Sequence, residues 1–230
     1  MVKDNLALAQ EKIHSACRRV GREETEVTLI AVSKTKPLSM IQEAYEAGMR
    51  EFGENKPQEL RDKAKLLETP VRWHMIGNLQ TNKIKYVVGT ACLIHSVDSV
   101  AMAAAIEKEA EKKDLVTEIL IEVNIAREEN KHGLPEEEVL AAVLEIAKMS
   151  HLHIRGLMTV APYTENAEEN RIYFRKMKEL LVDIKAKNID NVSMDILSMG
   201  MTSDYEVAIE EGATMVRIGT GIFGERDYSH

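Results

Sequence analysis

Eight short apolar segments, each followed by a stretch of helical periodicity, constrain this chain more than any other feature. The apolar segments cover residues 28–34 (TLIAVSK), 50–55, 72–77, 93–98, 118–125, 154–160, 194–200 and 215–219. The helical stretches between them cover 39–48, 57–67, 82–88, 99–113, 135–149, 167–187 and 203–212, with only a stub after the last strand. A helix between two strands brings the chain back to the starting edge, so such strands run parallel, and eight of them predict a closed (β/α)₈ (TIM) barrel. Ahead of it, Leu6, Ala9, Ile13, Ala16, Cys17 and Val20 recur at helical spacing and predict an extra N-terminal amphipathic helix. The 230 residues suit one barrel, and no Pro/Gly/Ser-rich linker interrupts them, so 1–230 is expected to be a single domain.

Charge narrows the partners. Thirty Lys and Arg against 38 Asp and Glu leave a net charge of −8 and no basic stripe to neutralise phosphates, so no nucleic-acid partner is expected. The charge runs at 107–113 and 136–138 read as solvated helix faces. Cys17 and Cys92 lie among apolar neighbours and read as small buried hydrophobes rather than a disulfide pair. Lys3, Asp4, Glu11 and Lys12 stand where a signal peptide would be apolar, and no run approaches the ~18 apolar residues of a membrane span. The expectation is a cytoplasmic monomer with no membrane or nucleic-acid partner.

In barrels of this type the working groups sit at the C-terminal ends of strands. That rule selects Lys34, Asn55, the 74–77 segment, Ser96, Asn124, 158–163, 198–204 and 217–220. Lys34 closes an apolar strand, where desolvation lowers an amine's pKa and a neutral amine can form a Schiff base; a lysine reaching out to solvent is the competing reading. Strand parity cannot separate Lys34 from Lys36, but Lys36 directly precedes Pro37 and already belongs to the loop. Two glycine-bearing segments, SMGMTSD (198–204) and RIGTGIFG (217–224), follow strands seven and eight, where this fold recurrently binds phosphate; two ordinary turns would also use glycine. GTGIFG also fits the dinucleotide pattern G-x-G-x-x-G, but the helix, strand and acid that must follow it are missing. Arg217 shares a strand face with Met215 and Gly219, so it should point into the barrel and need a ligand atom or a carboxylate as partner. The histidines show no metal-ligand spacing along the chain, and no metal is expected.

Six ordered stretches then make the chain recognisable: AVSKTKP (31–37), FGENKPQE (52–59), WHMIGNLQTNK (73–83), RGLMTV (155–160), LSMGMTSDYEVAI (197–209) and VRIGTGIFGERDY (216–228). They resemble the pyridoxal phosphate homeostasis family, whose barrel is similar to the N-terminal domain of alanine racemase. The resemblance implies pyridoxal 5′-phosphate (PLP) as the cofactor, carried as a Schiff base on Lys34. It implies that Ser198, Thr202, Gly219 and Thr220 hold the phosphate, that Arg217 faces the pyridine nitrogen, and that Asn55 and His74 lie near the ring. Thr202 departs from the family's usual serine but keeps the hydroxyl.

The same resemblance ranks a non-catalytic PLP carrier or buffer for intracellular vitamin B6 first, with transient contact to PLP-dependent enzymes. A PLP-dependent amino-acid racemase is the alternative, and a Schiff-base aldolase a distant third. An arginine at the pyridine nitrogen resists ring protonation and weakens the electron sink, though racemases of this fold tolerate that. An alanine-type racemase also draws a tyrosine base from a second domain, and only a few residues follow the barrel here. Tyr163 is the one further candidate base.

Overall fold

The computed structural model describes residues 1–225, and in it the alternation closes into a parallel barrel with strands in chain order. The strands are β1 (Thr28–Val32), β2 (Glu51–Glu54), β3 (Arg72–Met75), β4 (Leu93–Val97), β5 (Thr117–Glu122), β6 (Leu152–Met158), β7 (Val192–Met201) and β8 (Met215–Ile218). Closure is made by β1 against β8, from Thr28 opposite Met215 to Ala31 opposite Ile218. The helices are α1 (Val2–Arg19), α2 (Leu38–Glu46), α3 (Pro57–Leu66), α4 (Val100–Lys112), α5 (Glu136–Ile146), α6 (Arg171–Lys185), α7 (Tyr205–Glu210) and α8 (Thr220–Phe223). The last three residues of the final family-like stretch, 226–228, lie outside the described residues.

Strand residues alternate between two surroundings. Phe52, Trp73, Ile94, Ile121, Leu197 and Val216 face outward into the main core beneath the helices. Leu93, Leu120, Met158 and Ile196 pack together inside the barrel, with Met215 against them. Burial on both faces is why the strands read as apolar runs rather than as simple alternation. Gly156 is required by contact: a Cβ there would run into the backbone of Ile196, where both flanking ladders shift register.

Two elements differ from the sequence reading. The helix expected over 82–88 is a 3₁₀ helix, Thr81–Tyr86, and the long helix expected over 167–187 begins with a 3₁₀ turn, Ala167–Asn170. In the first case Ile84, Val87 and Val88 are buried at i, i+3 and i+4, a spacing that both helix types satisfy.

The extra N-terminal helix has a structural task. Leu6, Ala9, Ile13, Ala16 and Cys17 are buried, and α1 packs between α7 and α2 and over α8. Because α8 is a single turn, α1 occupies the place of an eighth barrel helix. Polar contacts fix it: Asn5 Nδ2 donates to Ile222 O (3.0 Å), Arg19 pairs with Glu206 and Glu210 (3.1 and 2.6 Å), and Arg22 Nη1 donates to Ile209 O and Ala213 O (2.8 and 2.9 Å). Among the described residues, no helix is long and apolar enough to cross a membrane.

Candidate functional site

β1 ends at Val32 and the chain turns at once, with Lys36 N–H donating to Ser33 O (3.0 Å). Lys34 stands half-buried at the corner, and Thr35 follows with φ +63°. That is the left-handed region, which a β-branched side chain enters only under constraint. The constraint is visible. Thr35 N–H donates to Glu59 Oε1 (2.6 Å), and the same oxygen accepts from Lys63 Nζ (2.7 Å). Lys63 Nζ also donates to Glu54 Oε1 (2.8 Å) and Ser33 O (2.7 Å), and the Ser33 hydroxyl donates to Glu54 Oε1 (2.6 Å). Ser33, Glu54 and Lys63 are buried, so a charged cluster from β2 and α3 grips both chain neighbours of Lys34. Burial pushes the Glu54 carboxyl up, and Lys63 beside it only partly offsets that.

The two lysines that parity leaves equivalent are placed differently. Lys36 Nζ donates to the carbonyls of Phe223, Gly224 and Glu225 (3.1, 3.0 and 2.8 Å), so its ammonium is committed to the end of α8. Just after β8, a Cβ at Gly219 would lie 3.4 Å from Val32 Cβ and 3.5 Å from its carbonyl oxygen, which brings the heads of β1 and β8 into close approach. Just beyond, the Thr202 and Thr220 hydroxyls lie 3.3 Å apart, and Gly221 N–H donates to Thr202 Oγ1 (3.5 Å). A Cβ on Gly221 would come within 2.9 Å of Ile218 and 3.2 Å of the Thr202 methyl, so only glycine leaves that backbone open. Asn55 follows β2, and its Oδ1 is buried without a hydrogen-bond partner among the described residues.

Beneath this mouth a hydrogen-bonded chain crosses the barrel interior. Arg217 Nη1 donates to Ser198 Oγ (2.6 Å) and Nη2 donates to Thr159 O (2.8 Å). Ser198 Oγ lies 2.9 Å from His95 Nδ1, His95 Nε2 lies 3.0 Å from His74 Nδ1, and His74 Nε2 lies 2.7 Å from Glu51 Oε2. A guanidinium only donates and a carboxylate only accepts, so with both imidazoles neutral every hydrogen points from Arg217 toward Glu51. Burial, reinforced by His74 and Arg217, holds the His95 pKa well below the usual range. Burial also works against a proton on His74, but Cys92 and Glu51 outweigh it and raise that pKa. Burial lowers Arg217 to about 10, against the pull of Glu122 and Asp204, which still leaves a cation at neutral pH.

These placements bear on four expectations. Arg217 points inward as expected, but its direct partners are a hydroxyl and a carbonyl rather than a carboxylate. Ser198, implied as a phosphate ligand, keeps its hydroxyl inside the barrel on His95 and Arg217. His74, implied near the ring, lines a cavity at the opposite, N-terminal mouth. Cys92, read as a buried hydrophobe, is half-buried with its Sγ 3.7 Å from His74 Nε2. Lys34, Asn55, Gly219 and Thr220 do gather at the C-terminal ends of β1, β2 and β8, with Thr202 beside Thr220 and Arg217 below.

The alanine racemase N-terminal domain family matches residues 6–227 of the chain. A pyridoxal phosphate homeostasis protein from Aquifex aeolicus is 45% identical over 98% of both chains. The chain belongs to the pyridoxal phosphate homeostasis protein family. PipY of Synechococcus elongatus, solved with PLP bound, superposes on this pyridoxal phosphate homeostasis family member with a TM-score of 0.85 at 32% identity, covering 97% of this chain and all of PipY. Alanine racemase of Clostridium difficile shares the fold alone, at 14% identity and a TM-score of 0.76, with 58% of its length covered.

Sequence reasoning missed Glu122, His95, Glu54 and Lys63 in this pyridoxal phosphate homeostasis family member. For the first three the available signal was a polar residue inside an apolar strand. Glu122 is raised to about 7 by burial and by Asp98, with Arg217 pulling the other way. The folded protein therefore keeps a proton that the unfolded chain releases above about 4.5, and stability falls as pH rises through the window from about 4.5 to about 7. Glu122→Gln should flatten that slope, recovering on the order of 3 kcal/mol at about pH 8 relative to about pH 4. Urea unfolding at both pH values checks it, and parallel slopes for the two proteins would contradict it.

Proposed function

We propose that this chain binds PLP at the C-terminal mouth of its barrel and stores or hands on the cofactor without turning over amino acids. The observation that carries the reading is the gathering of Lys34, Asn55, the Thr202–Thr220 pair and Arg217 around one mouth. Asn55 Oδ1 is buried and without a partner among the described residues, as a group awaiting a ligand donor would be. The bare backbone at Gly219 and Gly221 leaves room for a phosphate beside two hydroxyls. Lys34 Nζ is the amine that holds the PLP aldehyde carbon as a Schiff base. Thr202, Gly219 and Thr220 hold the phosphate, and Arg217 stands on the pyridine-nitrogen side.

When bound, PLP supplies an electron sink for carbanion chemistry on amino acids. The protein's own groups support little of that chemistry. Arg217 stays cationic and its donors are fixed on Ser198 and Thr159, so it resists a proton on a neighbouring ring nitrogen. Tyr163, the candidate second base, is 88% exposed. The relatives named as homeostasis proteins support the same conclusion. On this reading the chain acts in the cytoplasm as a single-domain monomer that meets PLP-dependent enzymes transiently.

The decisive experiment follows α-proton exchange of individual L- and D-amino acids in deuterated water with the PLP-loaded protein. No sustained exchange is expected. Exchange at enzymatic rates that disappears in Lys34→Ala would overturn the carrier reading and establish a racemase-type activity.

Phosphate dominance gives a second test. Pyridoxal should bind at least about tenfold more weakly than PLP, because it lacks the group that Gly219, Thr220 and Thr202 hold. Gly219→Val should weaken PLP more than Thr220→Val, since backbone approach matters more there than one hydroxyl. Equal affinities for pyridoxal and PLP in an equilibrium titration would refute this.

A further inference from the structure

At the mouth opposite Lys34, three metal-ligating side chains meet that are far apart in sequence. Glu51 opens β2, His74 lies in β3, and Cys92 directly precedes β4. One ligand atom from each lies within 4.8 Å of the other two. His74 Nε2 is 2.7 Å from Glu51 Oε2 and 3.7 Å from Cys92 Sγ. His74 is buried, Glu51 and Cys92 are half-buried, and His74 borders a cavity of about 390 Å³ at this mouth.

We propose that Glu51, His74 and Cys92 form a binding site for one zinc-class divalent ion, with water from the cavity as the fourth ligand. A thiolate, an imidazole and a carboxylate together match the borderline-soft preference of such ions. Tetrahedral bonds of about 2.0 Å to nitrogen and about 2.3 Å to sulfur place those ligand atoms about 3.6 Å apart. The Sγ to Nε2 distance of 3.7 Å already fits. The Glu51 oxygen must retreat from Nε2 by roughly half an ångström to reach tetrahedral spacing. The other imidazole nitrogen of His74, Nδ1, is 3.0 Å from His95 Nε2, which fixes the ring and aims Nε2 at the site. As the ion binds, both histidines change tautomer, so that His74 Nδ1–H donates to His95 Nε2 and His95 Nδ1–H to Ser198 Oγ, leaving His74 Nε2 bare for the ion.

Charge favours the same occupant. One carboxylate and one thiolate neutralise a divalent ion, and the Cys92 thiol proton leaves to solvent as the ion binds. Arg72 now lies 3.0 Å from Glu51 and can offset only one negative charge. Its side chain is 61% exposed, so it can swing into solvent when an ion arrives. The expectation of no metal rested on spacing along the chain, which cannot register ligands delivered by three successive strands. This site does not depend on the PLP reading.

The test uses the full chain with Co²⁺ as a spectroscopic probe, then Zn²⁺ in competition with a chromophoric chelator. One equivalent of Co²⁺ should give a thiolate-to-cobalt charge-transfer band in the near ultraviolet, and one equivalent of Zn²⁺ should displace it. Cys92→Ser should abolish the band, and Glu51→Gln should weaken Zn²⁺ binding at least about tenfold, with folding of both variants checked by circular dichroism. Should a variant not fold, alkylation of the unaltered protein replaces it, with Zn²⁺ expected to shield Cys92 from iodoacetamide. No thiolate band, a band that survives Cys92→Ser, unchanged zinc affinity in Glu51→Gln, or no shielding of Cys92 would each overturn the site.

Discussion

Lys34→Ala is expected to abolish the visible imine absorbance of the PLP-loaded protein and to weaken PLP binding by at least about tenfold. Borohydride reduction of the unaltered protein should leave a pyridoxyl group on Lys34 and on no other lysine, read by peptide mass mapping. The expectation rests on how the turn after β1 treats its two lysines. Lys36 Nζ is drawn to three carbonyls at the end of α8, the farthest at 3.1 Å, and moving it onto a ligand would abandon all three. Lys34 instead occupies the corner of a turn whose next residue is held at φ +63°. Lys36→Ala should therefore keep the absorbance while loosening the end of α8. A pyridoxyl label on Lys36, or a band undiminished in Lys34→Ala, would reverse the assignment.

Lys63→Met is expected to cost about 3–5 kcal/mol of stability, because it leaves the Glu54 carboxylate buried without its cation. For a chain of this size that is a fall in Tm of roughly 2–4 °C per kcal/mol. The sign of its pH dependence follows from the carboxyl. Burial already raises Glu54 with Lys63 present, and losing Lys63 raises it further. The variant then gains a proton on folding, so its deficit is smallest in acid and grows as pH rises. Adding Glu54→Gln should recover part of the loss, since a neutral amide needs no counterion. Losing Lys63 also releases Ser33 O and weakens the hold on Thr35, so PLP affinity should fall along with stability. Thermal melts at about pH 5 and about pH 8 check this, and a Lys63→Met protein as stable as the parent at both would remove the cluster from the account.

How much of this the sequence could reveal depended on distance along the chain. Barrel strands buried on both faces write themselves as apolar runs, so all eight were legible, and parity alone sent Arg217 inward. The turn carrying Lys34 and the glycines after β8 were legible because strand ends and glycines are local signals. The polar chain that runs from Arg217 was not. Ser198, His95, His74 and Glu51 sit on four different strands, and only barrel closure and register bring them into one line. The surroundings of Ser198 were hidden for the same reason: SMGMTSD looks like one ligand loop, yet its first residue still belongs to β7, with its hydroxyl on His95 and Arg217. Lys63, on α3, looks in sequence like any solvated lysine of a charged helix face. Only the buried carboxylate of Glu54 beneath it gives it a task.

The position of α1 bears on how the chain folds. Its apolar face is completed by α2, made soon after it, and by α7 and α8, made at the other end of the chain. The β1–β8 ladder likewise joins residues such as Leu29 and Val216. Contacts of such high sequence separation slow folding, because a long loop must close before they form. On the ribosome, Leu6, Ile13 and Cys17 stay partly uncovered and β1 keeps an open edge until residues 205–223 have emerged. The nascent barrel is therefore an unclosed sheet for most of its synthesis, the form most exposed to edge-to-edge association and most in need of chaperone protection.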